Sequence, residues 1–144
     1  MRNISATEIN ELVDKFTNHT LPKKEWNHQA HIIVAFWHHE NYDFDTALAI
    51  VRQKIKSYNI SVGTLNTDDS GYHETLTVFW MIVTKNFLLR HPELDMANTC
   101  QRFLQSEYAS PSYPLEYYTK AVLFSKTARK TWVVGDIKVL NKLT

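Results

Sequence analysis

The apolar positions of this chain recur at helical intervals from its first residues. Ser5-Ala6-Thr7-Glu8 has the form of a capping box, a hydroxyl followed three residues on by a carboxylate. Ile9, Leu12, Val13 and Phe16 follow at spacings of three and four, which predicts a helix over 6–18. Pro22, in TLPKKEW, ends it. Asn27 is placed to cap a second helix, running to about Glu40 with Ile32, Ile33, Ala35, Phe36 and Trp37 inside it. Asp43 or Asp45 caps a third, to about Tyr58, whose apolar positions include Ala47, Leu48, Val51 and Ile55. After the polar loop NISVGTLNTDDSG, the residues from about Tyr72 to Leu89 are apolar nearly all round. That is the pattern of a central, buried helix, with Val78, Phe79, Ile82 and Val83 as expected core. His91-Pro92 ends it, and a fifth helix is predicted over about Leu94 to Ser106.

The C-terminal third is less regular. Pro114 to Tyr118 suits the start of a short helix, and Ser125 caps another to about Trp132. The tail VVGDIKVLNKLT reads as a short strand or an extended cover over the core. AVLF and TWVV have strand-like composition, which leaves a short C-terminal hairpin as an alternative. The expected architecture is all-α: one domain over 1–144, a compact orthogonal or up-down bundle of five main helices plus one or two short C-terminal ones.

Composition agrees. A chain of 144 residues with 44% hydrophobic side chains has material for one core without disulfides. Three glycines and four prolines are few for a fold rich in turns. The phosphate-cradling glycine motifs and the G-x-S-x-G elbow are absent. The formal net charge of +1 lacks the basic excess of a nucleic-acid surface. No apolar run is long enough for a membrane span, and the first residues carry charges where a signal peptide is apolar. A cytoplasmic location is therefore expected. A single cysteine, Cys100, excludes an intrachain disulfide and reads as a small buried hydrophobe.

The candidate chemistry lies where two apolar helices begin. WNHQAHIIVAFWHH opens with His28 and His31, and GYHETLTVFW with Tyr72, His73 and Glu74. Residues three apart lie about 60° apart around a helix, so His28 and His31 are placed to share one ion. Short connections make successive helices antiparallel, which brings the beginnings of helices two and four to the same end. His28, His31, His73 and Glu74 are expected to meet there, beside the loop residues Asn66, Asp68 and Asp69. Histidines in a first turn face the positive end of the helix dipole and should stay neutral, the form that coordinates metals or takes up protons. The leading expectation is a divalent metal, Zn²⁺, Fe²⁺ or Ni²⁺, on His28, His31 and His73, with Glu74 or Asp69 as fourth ligand or general base. His38, His39, His19 and His91 are read as surface residues. A metal-free small-molecule-binding module built on the same residues is the alternative from another class. A helical protein-interaction domain is a third, and haem binding has no attachment motif behind it. Arg129 and Lys130 are noted as charge available to an anionic substrate, and the tyrosines of SPSYPLEYY as a cover for a pocket mouth.

Overall fold

The computed structural model describes residues 3–143. Five main helices follow one another: α1 (Ala6–Thr17), α2 (His28–Asn41), α3 (Phe44–Ser61), α4 (Glu74–Arg90) and α5 (Met96–Leu104). Two short helices, α6 (Lys120–Leu123) and α7 (Lys126–Lys130), come near the end, and single 3₁₀ turns lie at Lys23–Glu25, Glu107–Ala109 and Tyr113–Glu116. The fold is all-α, with no strand among the described residues. Among the described residues no helix is long and apolar enough to cross a membrane.

The helix starts are set locally. The Ser5 hydroxyl accepts the Glu8 N–H, and the Glu8 carboxylate accepts the Ser5 N–H, which completes the capping box. Asn27, Asp43, Asp95, Thr119 and Ser125 each accept an N–H of the first turn of α2, α3, α5, α6 and α7. Each such cap contributes roughly 1 kcal/mol.

Two helices share the centre. Val78, Phe79, Ile82 and Val83 of α4 are buried as their pattern predicts. In α2 every residue from Ile32 to Phe36 is at most 3% exposed, and the helix packs against α1, α3, α4 and α5. It divides the core. Ile32, Ile33 and Phe36 join Phe79, Phe87, Phe103 and Tyr118 on one side, while Val34 and Ala35 join Phe16, Val51, Tyr58 and Met81 on the other. Cys100 is fully buried, and burial pushes its thiol up to about 12.

The central position of α2 corrects the reading of its last histidines. His38 and His39 are 0% and 5% exposed. His38 Nδ1–H donates to Val34 O at 2.7 Å, and its Nε2 accepts from Lys54 Nζ at 2.9 Å. His39 Nε2 lies 3.0 Å from both Met81 O and Thr84 Oγ1, while its buried Nδ1 has no partner among the described residues. Burial lowers both, His38 to about 4 and His39 to about 3.

The C-terminal hairpin does not form. Residues 132–143 run as an irregular strap with no strand partner among the described residues; bundle side chains hold part of its backbone, and Tyr117 O accepts the N–H groups of Ile137 and Lys138. Thr75 Oγ1 accepts the Val133 N–H, Tyr118 Oη donates to Val133 O, and Asp136 accepts from both the N–H and the hydroxyl of Thr119. Asn86, 3% exposed, donates to Asn141 O and accepts from Leu143 N. Within TWVV, Trp132 and Val133 are half-buried while Val134 is exposed, so its apolar surface is only partly covered, and the strap's backbone groups are met by Thr75, Tyr118, Asn86 and the Tyr117 carbonyl.

Candidate functional site

The first turns of α2 and α4 meet, as the antiparallel order requires, and enclose with α3 a cavity of about 540 Å³. His28, His31 and His73 all line it, together with Trp26, Trp80 and Asn59. Its floor is Val34, Ala35, Val51, Ile55 and Met81.

Each imidazole is fixed differently. His73 is the N-cap of α4: its Nδ1 accepts the Leu76 N–H at 3.1 Å, and its Nε2–H donates to Leu123 O at 2.8 Å. Both ring nitrogens are thus engaged in holding a neutral ring, and burial first, then the Arg129 charge, lowers its pKa. His28 Nε2–H donates to Ala109 O at 2.8 Å, tying α2 to the turn at 107–109, and its ring sits edge-on to Trp80. His31 Nδ1–H donates to Asn27 O at 2.7 Å. Its ring stacks on Trp26 with 3.7 Å between centroids, and Trp26 stacks in turn on Phe16 at 4.3 Å. Burial lowers His31 to about 4, with His28 adding to the effect. His31 is therefore a neutral imidazole near pH 7, with its Nε2 lone pair free of any partner among the described residues.

The loop before α4 closes the cavity. Asn66 Oδ1 accepts from Tyr72 N and from Asn59 Nδ2, both at 3.0 Å, and Asn66 Nδ2 donates to Lys56 O. Gly71 is required here. Its φ is +76°, and a Cβ would lie 2.4 Å from Leu65 O and 2.9 Å from Asn66 Cα.

The acidic candidates lie elsewhere. The Glu74 carboxylate accepts a bidentate pair from Arg52 at 2.8 and 2.7 Å and a third hydrogen bond from Tyr72 Oη at 2.6 Å. These partners hold its pKa below the ordinary carboxylate range, against the burial that opposes them. It lines a separate basic depression with Arg52, Lys56, Arg129 and Lys130, and is not on the histidine cavity. Asp69 is exposed, 4.0 Å from Lys126, and Asp68 pairs with Lys130 at 3.0 Å. Arg129 Nη1 donates to Gly71 O. No group of three or more His, Cys, Asp or Glu side chains among the described residues is arranged to hold a metal ion. The expected ligands share a wall, but His73 has no lone pair to give, and neither Glu74 nor Asp69 approaches.

The sequence reading missed Trp26, Trp80 and Asn59 as cavity residues. Trp26 lies two residues before His28, within the same motif, and was legible as a neighbour. Trp80 is two turns into α4, and Asn59 ends α3; only packing brings them here. Compared with known proteins, the chain matches no family model, no curated protein and no solved structure.

Proposed function

We propose that this protein binds a small, uncharged, partly aromatic molecule in the histidine cavity. The carrying observation is the lining itself: about 540 Å³ of space walled by two indoles, a stacked imidazole and aliphatic side chains, with no Lys, Arg, Asp or Glu. The volume is that of a compact ligand site. An ionic ligand would be desolvated there with no counter-charge, which disfavours it by several kcal/mol. The polar groups left for a ligand include the His31 Nε2 acceptor, His28 Nδ1 and the indole N–H groups of Trp26 and Trp80, none of which has a partner among the described residues. A ligand donor meets His31, and its ring continues the stack begun by Phe16, Trp26 and His31.

A three-histidine metal centre is the competing assignment. It requires His73 to give up at least the Leu76 N–H, which uncaps α4, and coordination through Nε2 would leave Leu123 O without its donor as well. One titration series separates the readings. Untagged protein is titrated with phenol, indole and benzimidazole, followed by amide chemical shifts and tryptophan fluorescence, and separately with Zn²⁺. Saturable changes at Trp26, His31 and Trp80 with at least one uncharged ring compound, weakened about tenfold or more in His31→Ala, are expected. Stoichiometric zinc uptake that is lost in both His31→Ala and His73→Gln would replace this reading by the metal centre. No saturable response to any of these probes would refute both.

A further inference from the structure

The second half of α4 lines a different cavity, of about 740 Å³, which no part of the histidine site touches. It lies where α4 and α5 end. Arg90 is the last residue of α4 and Arg102 sits in the last turn of α5. Neither guanidinium has an ion pair or side-chain hydrogen bond among the described residues, and neither Asp nor Glu lines the cavity. The ordinary role of such arginines is to offset the negative end of their own helices. That end is worth about half a charge per helix, so two arginines against two termini leave an excess of about one positive charge. An excess beside water costs little, but here it faces a concavity with a built apolar side.

That side is a tyrosine shelf. Tyr113 Oη and Tyr117 Oη are 3.1 Å apart, and Tyr108 packs edge-on against Tyr113 at 5.4 Å. Another part of the lining is the C-terminal strap from Val139 to Leu143, and it is anchored: buried Asn86 grips its backbone at Asn141 and Leu143 with two hydrogen bonds of 2.9 Å. The His91 ring, stacked on Phe87 with Nδ1–H donating to Phe87 O, adds an Nε2 with no partner among the described residues. Charge of one sign, hydroxyl donors and flat apolar surface therefore converge on one volume.

We propose that this second cavity binds an organic anion, a carboxylate or phosphate ester carried on a ring. Arg90 and Arg102 take the anionic group, for which the guanidinium fork is suited, and the ring lies against the tyrosines. The proposal stands apart from the reading of the histidine cavity, because the two share no lining residue.

The test is an amide chemical-shift titration of the full chain at low salt with benzoate and phenyl phosphate, beside uncharged benzyl alcohol and inorganic phosphate. Saturable shifts at Arg90, Arg102 and Tyr113 with the two aromatic anions are expected, weakening several-fold as salt is raised. Arg90→Gln and Arg102→Gln should each weaken binding at least threefold, and the double variant at least tenfold, while Arg102→Lys retains part of the affinity. Both positions are exposed, so folding is expected to survive, and circular dichroism checks it. Shifts that do not saturate, that fall elsewhere, or that persist unchanged in the double variant would overturn the site. An equal response to benzyl alcohol would overturn the role of charge, and an equal affinity for inorganic phosphate the role of the tyrosines.

Discussion

One helix, α4, serves two cavities of opposite character. Its first two turns face a space with no formal charge, where a stacked imidazole is held neutral by burial. Its last two turns face a space rimmed by two arginines that have no ion pair among the described residues. The polar groups of the first are locked: His28, His31 and His73 each spend a ring nitrogen on a backbone carbonyl. Those of the second are long, exposed side chains around an irregular strap. Position along the helix accounts for the difference. The start of α4 is buried under α2, α7 and the Asn66 loop, so ionised groups there would need partners, as Glu74 has in Arg52. The end of α4 opens to solvent, where unpaired charge is tolerated.

Acid should break the comparison most strongly, because the histidines with the largest shifts all lie on α2. His31, His38 and His39 all lie on α2, and burial lowers them from 6.5 to about 4, 4 and 3. A histidine with a depressed folded pKa leaves the unfolded chain holding more protons in that interval. Stability is therefore full above about 6.5 and falls as pH drops toward 4 and 3. Together the three are expected to remove several kcal/mol, on the order of a small domain's whole stability. Urea midpoints from pH 7 to 4 check the loss, and hydrogen exchange should show α2 and α3 opening first. A flat profile would show that these imidazoles are not held neutral by the fold.

Phe79 sits between the two cavities, fully buried, with its ring against Trp80 on one side and Tyr113 and Tyr117 on the other. Phe79→Ala should cost about 3–5 kcal/mol in denaturant unfolding and weaken both sites together. A loss below about 1 kcal/mol would mean that α4 is not central.

His73→Ala should act on the first cavity only. It removes the cap of α4 and leaves Leu123 O without its donor, at a cost of about 1–3 kcal/mol. Because His73 is not free to titrate as a ligand, His73→Gln should leave the pH dependence of ring-compound binding unchanged. His31→Gln should abolish the fall in affinity expected as pH drops toward 4. The smallest stability effect belongs to the other end, where Arg90→Gln and Arg102→Gln should each move unfolding by less than about 0.5 kcal/mol. A larger loss would mean that those guanidiniums hold the strap in place.

The elements were legible because their causes are local. The caps at Ser5, Asn27, Asp43 and Ser125, the spacing of Ile9, Val13 and Phe16, and the all-round apolar run of α4 each act within a few residues. The meeting of His28, His31 and His73 followed from chain direction: short connections force α2 and α4 to start at the same end, and they do. What each imidazole does there was not legible. His28 bonds to Ala109, 81 residues away, and His73 to Leu123, 50 residues away, and no spacing rule encodes such partners. The start of α4 was expected at Tyr72. His73 instead took the N-cap place that Ser, Asp or Asn more often holds, which turned a candidate ligand into a structural group. His38 and His39 looked like surface residues because an HHE sequence at a helix end is polar; packing against α3 and α4 buried them. The C-terminal strap shows the same division. Its apolar composition was written in the sequence, but whether that surface paired as a hairpin or lay along α4 depended on Thr75, Asn86 and Tyr118 offering hydrogen bonds from elements already packed. The sequence by itself determined helix positions and the end of the bundle where the imidazoles gather, since those depend on local propensity and chain direction. Tertiary structure alone decided which ring nitrogens remain free, because a hydrogen bond depends on atoms within about 3 Å, whatever their distance along the chain.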